Sequence, residues 1–319
     1  MGIFGNTLSI IMFLTKLKKN VCSFYLLTAE ITDTLTILIY VLPATVGLIY
    51  GKNGTQTNLV WCKLINWASD TTNLISTLML CSASIDRYLC SSRRIQLRKW
   101  SSMKVAKISV VIVTFCSFLL AIPDILYWNI DTNIQQCIDS EIYLQYASYF
   151  LIPVMFSFVP LIILSVFGYK TYRNLQHIHP VHQGDDVAII SNHQQVHRRQ
   201  RLDNQLSRML IPQILLFLFQ TITFFSVNLY ITVTYELSKS DLRMAMENLF
   251  QSIIFVFYET YTAASFYIYY AHSKAFRVNV KKLLMKHRRR DDNATTVTRN
   301  TGAPVRYHSG TGITMPAGH

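Results

Sequence analysis

Seven long apolar runs separated by short polar links organise the sequence. They cover roughly 1–15, 23–49, 62–90, 105–127, 144–172, 209–234 and 246–271. A helix rises about 1.5 Å per residue, so about 20 apolar residues cross the roughly 30 Å hydrocarbon core of a bilayer. In that core every backbone N–H and C=O must be bonded within its own segment, so runs of this length become helices. The pattern therefore predicts an all-α membrane protein, a bundle of seven transmembrane helices. Run one is short: about fourteen apolar residues reach only about 21 Å. It lacks the basic start and small-residue cleavage site of a signal peptide. It is expected to be a truncated first helix, with its outer half and an extracellular N-terminus absent.

Charge placement sets the orientation. The chain has 319 residues, 51% hydrophobic and 15% charged, with a net charge of +13. A soluble domain carries about 25% charged residues. A basic balance suggests nucleic acid, but here the cations cluster between the apolar runs. Lys16, Lys18 and Lys19 follow run one; Arg93, Arg94, Arg98, Lys99 and Lys104 follow run three; Arg198, Arg199 and Arg201 follow run five. Lys274, Arg277, Lys281, Lys282, Lys286 and Arg288 to Arg290 follow run seven. The links 50–61, 128–143 and 235–245 have less cation excess. By the positive-inside rule the N-terminus lies outside and the C-terminus in the cytoplasm. Membrane lipid is thus an expected partner, nucleic acid is not, and no cofactor is expected. Residues 174–207, with His177, His179, His182, His193 and His197, read as a solvated cytoplasmic loop rather than a metal site. Residues 1–286 form the expected membrane domain, and 287–319 a disordered cytoplasmic tail. After run seven, Val280, Leu283 and Leu284 alternate with Lys281, Lys282 and Lys286, which suits a short amphipathic helix on the anionic inner leaflet.

Run three carries the most informative chemistry. Cys62 and Arg87 are 25 residues apart, about 37 Å of helix. One therefore lies at the outer end and the other at the inner end of a single span. Cys137 falls in the outer link after run four, so both cysteines face the oxidising side. A Cys62–Cys137 disulfide would tie that link to helix three; two unpaired thiols are the alternative. Asp86-Arg87-Tyr88 alone could be an interfacial charge pair that snorkels to water. Asp33 is an ionisable residue in mid-membrane, where such groups are costly and usually functional. Asn53-Gly54-Thr55 is an outward-facing glycosylation sequon.

On the third of seven helices and at this distance from Cys62, Asp86-Arg87-Tyr88 resembles the rhodopsin-like G-protein-coupled receptors. Gly5-Asn6 looks like the family's helix-one pair, and Leu26-Leu27-Thr28-Ala29-Glu30-Ile31-Thr32-Asp33 like its helix-two run. Pro160 sits at the helix-five proline. Ser265-Phe266-Tyr267-Ile268-Tyr269 stands in for Asn-Pro-x-x-Tyr, and Phe276-Arg277 follows at the family's distance. The resemblance implies a plasma-membrane receptor, not an enzyme, that binds an extracellular ligand and activates a heterotrimeric G protein. It implies G-protein coupling at Asp86, Arg87 and Tyr88. It also implies an intramembrane polar network of Asn6, Asp33, Ser76, Ser265 and Tyr269, with a sodium site at Asp33 and Ser76. Ser265 replaces the family's asparagine ligand, so a plain hydrogen-bond network is an equal alternative. There are further departures. Helix six has Leu216-Phe217-Leu218-Phe219 and then Gln220 in place of Cys-Trp-x-Pro, with Pro212 lower down. Helix four has no Trp, helix seven has no Pro, and Tyr169 falls one residue late relative to Pro160. Glu30 stands one turn below Asp33, where the family has a small residue.

The ligand is less legible. The aspartate that anchors amines in the family is Ser69 here. Its neighbour Asp70 is turned by about 100° on a helix, so an amine-anchoring site is not expected. No lysine in 246–271 could form a retinal Schiff base. The segment around helix seven is similar to invertebrate FMRFamide-type neuropeptide receptors, which implies a peptide ligand. Asp70, Asp124, Asp131, Asp139, Glu141, Glu236, Asp241, Glu247 and Glu259 could attract a basic peptide, solvated loop charge being the alternative. Ser69, Asp70 and Glu259 are the candidate ligand contacts. A transporter would need a polar path and repeat symmetry, and a membrane enzyme a clustered His, Asp or Glu site; neither pattern is visible. A degenerate, non-signalling receptor remains the alternative.

Overall fold

Short polar side chains start the helices. Asn20 accepts from the Ser23 N–H, Asn58 from Val60 and Trp61, Ser102 from Val105, Ser140 from Tyr143 and Ser240 from Arg243. Each such cap satisfies a donor that the first helical turn leaves unpaired. The computed structural model describes residues 2–16, 20–50, 58–92, 94–131, 136–176, 190–234, 237–274, 276–283 and 285. They fall into two units, Met1–Arg277 and Val278–His319. Of the second unit, residues 278–283 are helical.

The first unit is a seven-helix membrane bundle. Span one is α1 (Gly2–Lys16). Span two is α2 (Val21–Thr36), a π-helical turn at Ile37–Val41 and α3 (Leu42–Tyr50). Span three is α4 (Leu59–Ser91), followed by the short α5 (Ile95–Trp100). Span four is α6 (Met103–Leu120) with α7 (Ile122–Tyr127). Span five is α8 (Glu141–Tyr146), a π-helical stretch over Ala147–Phe158 and α9 (Val159–Gln176). Span six is α10 (Ile190–Val233), and span seven is α11 (Asp241–Glu259) with α12 (Tyr261–His272).

The interruptions have local causes. Pro43 and Pro153 have no N–H to give to the helix ladder. Beside them the bonding shifts to five residues back, Leu42 N–H to the Ile37 carbonyl and Val159 N–H to the Val154 carbonyl. Pro160 is the second residue of α9, where the π-helical stretch gives way to α-helix. Between spans four and five, β1 (Trp128–Asp131) and β2 (Gln136–Asp139) pair antiparallel, with Ile130 opposite Cys137.

α4 is the central post, packed against α2, α6, α9 and α10. Its side chains at Leu74, Met79, Leu80 and Arg87 are fully buried. This explains a departure from simple hydropathy. Among the described residues, four stretches are long and apolar enough by composition to cross a membrane: Val21–Gly47, Met103–Tyr127, Glu141–Asn174 and Leu206–Val233. α4 carries buried Ser, Thr and Asp instead, because it faces other helices rather than lipid. α6 shows the opposite pattern, exposing Ile108, Val111, Ile112 and Phe115.

Two expectations change. The expected loop 174–207 is helical from Ile190 onward; no Gly or Pro interrupts 190–211, and Gln, Arg and Leu are good helix formers. His177, His179 and His182, and the side chains of His193 and His197, lie outside the described residues. Run seven is two helices meeting at Thr260, whose N–H bonds back to the Val256 and Phe257 carbonyls. The expected tail, 287–319, lies outside the described residues.

Candidate functional site

At one end of α4 the Arg87 side chain is 1% exposed. Its Nη2 donates to Asp86 Oδ2 at 2.7 Å and to Asn20 Oδ1 at 3.3 Å. Asn20 is also the cap of α2. The other Asp86 oxygen accepts the Ser101 hydroxyl at 2.5 Å. The chain Arg87–Asp86–Ser101 thus ties α4 to the segment between α5 and α6. Removing one partner of a buried ion pair costs about 3–5 kcal/mol, because the other charge is left uncompensated. Tyr88 stands apart from this chain. It packs on Phe167 with ring centroids 5.4 Å apart, and the Lys170 ammonium lies 5.5 Å from its ring. The charge pair was legible in the sequence. Ser101 was not, because its part depends on how the segment after α5 folds back.

In mid-bundle the expected five-residue network is divided. Asn6 Nδ2 donates to the Thr262 carbonyl at 2.8 Å, joining α1 to α12. One residue earlier, a Cβ on Gly5 would lie 3.0 Å from Phe266 Cβ. The absence of that atom is what lets the two helices approach. Asp33 and Ser76 are buried side by side, without hydrogen-bond geometry between them. Asp33 Oδ1 and Ser76 Oγ have no partner among the described residues. Glu30 is buried beside Tyr269. Ser265 and Tyr269 are instead bonded to Gln213, a residue that sequence reasoning passed over. Gln213 Nε2 donates to Ser265 Oγ at 3.0 Å and to the Tyr261 hydroxyl at 3.1 Å. Its Oε1 accepts the Tyr269 hydroxyl at 2.8 Å. An amide within a largely apolar span was the available signal. One turn and more along α10, Phe217 packs edge-on against Tyr261, and Gln220 donates to the Phe257 carbonyl and Thr260 hydroxyl at 2.8 Å each. Gln220 thereby satisfies a carbonyl at the α11–α12 break.

At the other end of α4, Cys62 and Cys137 form a disulfide with Cα atoms 5.8 Å apart. It fastens β2 to α4. Within the bundle lies a cavity of about 290 Å³ whose lining includes Asp70, Asn73, Tyr143, Phe224, Tyr258 and Glu259. Asp70 Oδ2 accepts the Tyr143 hydroxyl at 3.1 Å, and Asn73 Nδ2 donates to Glu259 Oε1 at 3.5 Å. Asp70 and Glu259 are brought together as expected; Ser69 is not. Ser69 is buried away from the cavity, and its carbonyl accepts the Thr72 hydroxyl. The rotation of α4 has placed the second of the neighbouring residues, not the first, toward spans five and seven.

The other candidate acids are scattered. Asp124 is buried beside Tyr143 and Trp128. Asp139 also lines the cavity. Glu247 is held by Lys239 at 2.5 Å and by Arg243 at 2.9 Å. Glu236 and the sequon residue Asn53 lie outside the described residues.

A seven-helix bundle of membrane spans, with a disulfide at one end of the third span and a buried Asp-Arg pair at the other, defines a heptahelical membrane receptor. Over residues 5–261 the chain matches the family described as 7 transmembrane receptor (rhodopsin family), and it belongs to that family. It is a multi-pass membrane protein of a receptor class, not an enzyme. It is 31% identical over 148 residues to the type-1 angiotensin II receptor B of Rattus norvegicus, an alignment covering 43% of this chain and 39% of that one. The type-1 angiotensin II receptors of Oryctolagus cuniculus and Homo sapiens match with the same identity and coverage. The chain thus spans about two-fifths of the length of these curated relatives.

Proposed function

We propose that the chain is a plasma-membrane receptor that binds an extracellular peptide and activates a heterotrimeric G protein. The N-terminus lies outside and the C-terminus inside, as the placement of cations between spans supports. Residues 1–286 form the receptor body and 287–319 a cytoplasmic tail. A peptide ligand is supported by the resemblance to FMRFamide-type receptors and by relatives named for angiotensin II.

The observation that carries the reading is the buried Arg87. Its partners come from three separate segments: Asp86 on α4, Asn20 at the start of α2 and, through Asp86, Ser101 after α5. An arginine held this way can exchange its partners when the inner ends of the spans part. Ligand binding in the outer cavity would then shift a two-state equilibrium toward a form that engages the G protein. Asp86 and Tyr88 complete the coupling face. Asp33 and Ser76 fit a sodium ion through their two unpartnered oxygens, and such an ion would stabilise one of the two states. Asn53 would carry a glycan.

The test is guanine-nucleotide exchange on purified G proteins, with the full chain in lipid nanodiscs and a peptide library as ligand source. An agonist is expected, and Arg87→Ala is expected to abolish its effect. Full agonist response in Arg87→Ala would overturn the assigned role. The second reading, a non-signalling receptor, is favoured by the missing Trp and Pro of helix six, and predicts ligand binding without exchange on any G protein.

A further inference from the structure

We infer that the outer cavity receives a cationic group of the ligand, a guanidinium or an ammonium, between the carboxylates of Asp70 and Glu259. The inference rests on the receptor reading and adds the ligand chemistry to it.

The charges that line the cavity have one sign. Asp70, Asp139 and Glu259 contribute carboxylates, and none of the described lining residues is Lys, Arg or His. Asp124 adds a further carboxylate behind Tyr143. The cations nearest along the chain on the α10–α11 link, Lys239 and Arg243, are engaged by Glu247.

The partners that the cavity carboxylates do have are neutral. Asp70 takes a phenol hydrogen from Tyr143, and Glu259 a long amide hydrogen bond from Asn73. Glu259 Oε2 is buried with no hydrogen-bond partner among the described residues. A carboxylate removed from water is stable only when a cation or several donors face it. The site thus keeps unspent accepting capacity for a positively charged donor. Asp70 and Asn73, one turn apart on the same face of α4, bring Asp70 and Glu259 to a common space.

Size and walls narrow the occupant further. A volume of about 290 Å³ lodges one side chain or one terminal group, not a whole peptide. Phe156, Phe224, Phe255 and Tyr258 line the same space, and the Phe224 and Tyr258 rings stack with centroids 4.5 Å apart. Aromatic faces attract a desolvated cation. The position that anchors amines in the resembling receptors is Ser69, which is turned away. Asp70, the next residue, is the one that the turn of α4 brings to the cavity.

The test uses the full chain in lipid nanodiscs, with saturation-transfer NMR and the thermal-unfolding midpoint as binding readouts. The probes are N-acetylarginine amide, N-acetyllysine amide and the neutral isostere N-acetylcitrulline amide. At least one cationic probe is expected to bind and raise the midpoint, with citrulline at least tenfold weaker. The arginine-to-lysine ratio identifies the preferred cation. Glu259→Gln and Asp70→Asn are each expected to weaken the cationic probe at least tenfold; either variant suffices if the other fails to fold. Equal binding of citrulline, binding by neither cation, or parent-like binding in both variants overturns the inference. Agonists from the peptide library that carry no basic group would overturn it too, while leaving the receptor reading intact. A cationic probe that binds to a chain activating no G protein counts against the receptor reading alone.

Discussion

Gln213 on the sixth span accepts the Tyr269 hydroxyl of the seventh at 2.8 Å, and both side chains are fully buried. The same amide donates to Ser265 and Tyr261. One residue thereby holds three side chains of α12 in place.

Gln213→Leu keeps the size and removes all three bonds. Hydrogen bonds between membrane helices average about 0.6 kcal/mol and reach about 1.7 kcal/mol, so a loss of about 2 kcal/mol is expected. The unfolding midpoint in nanodiscs should fall by a few degrees. An unchanged midpoint would mean the amide holds α12 no better than an apolar side chain does.

Ser101→Ala tests the clamp on Asp86 without altering Asp86 or Arg87. It deletes the hydroxyl that bonds Asp86 at 2.5 Å and leaves Arg87 untouched. A hydrogen bond to a charged group contributes about 1.5–3 kcal/mol. If the clamp holds the inactive form, ligand-free nucleotide exchange should rise roughly tenfold, the equivalent of about 1.4 kcal/mol. Lower basal exchange would show that the bond supports the active form instead.

The Cys62–Cys137 bridge spans a sequence separation of 75 residues. In the chain-entropy picture such a cross-link contributes about 4 kcal/mol. The double variant Cys62→Ser/Cys137→Ser should reach the cell surface poorly and unfold at lower temperature. Parent-like surface expression and midpoint would contradict a structural role for the bridge.

Gly5→Val probes the contact of the first and last spans. The new Cβ would meet Phe266 at 3.0 Å, so α1 must shift, at a cost of about 1–3 kcal/mol for overpacking. The shift would also lengthen the Asn6–Thr262 bond. Differential scanning fluorimetry should report a lower midpoint for Gly5→Val than for Gly5→Ala, which adds the same Cβ but not the two methyl groups beyond it. The reverse order would mean the helices are not in contact there.

Several parts of the site are legible in the sequence. Cys62 and Arg87, 25 positions apart, announce the two ends of one span. Asp33 stood out because a carboxyl within an apolar run has few other reasons to be there. Asp70 and Glu259, two of the three candidate contacts, line one cavity, and Ser69 is not among its lining residues. Helical spacing gives the angle between neighbours but not the direction that either faces. Gln213 and Ser101 were passed over because a single amide or hydroxyl gains meaning only from what stands opposite.

The sequence alone determined that this chain is an all-α membrane protein with seven apolar helical runs, because hydrocarbon leaves the backbone no partner but its own helix. It also determined the family, through residues whose spacing along single helices is local information. Only the tertiary structure decided which face of α4 lines the cavity, that Gln213 gathers Ser265 and Tyr269, and that Ser101 closes the clamp on Asp86. Those relationships depend on the rotation of each helix about its axis and on how links fold back. Packing between spans sets both, and no periodicity within one span records it.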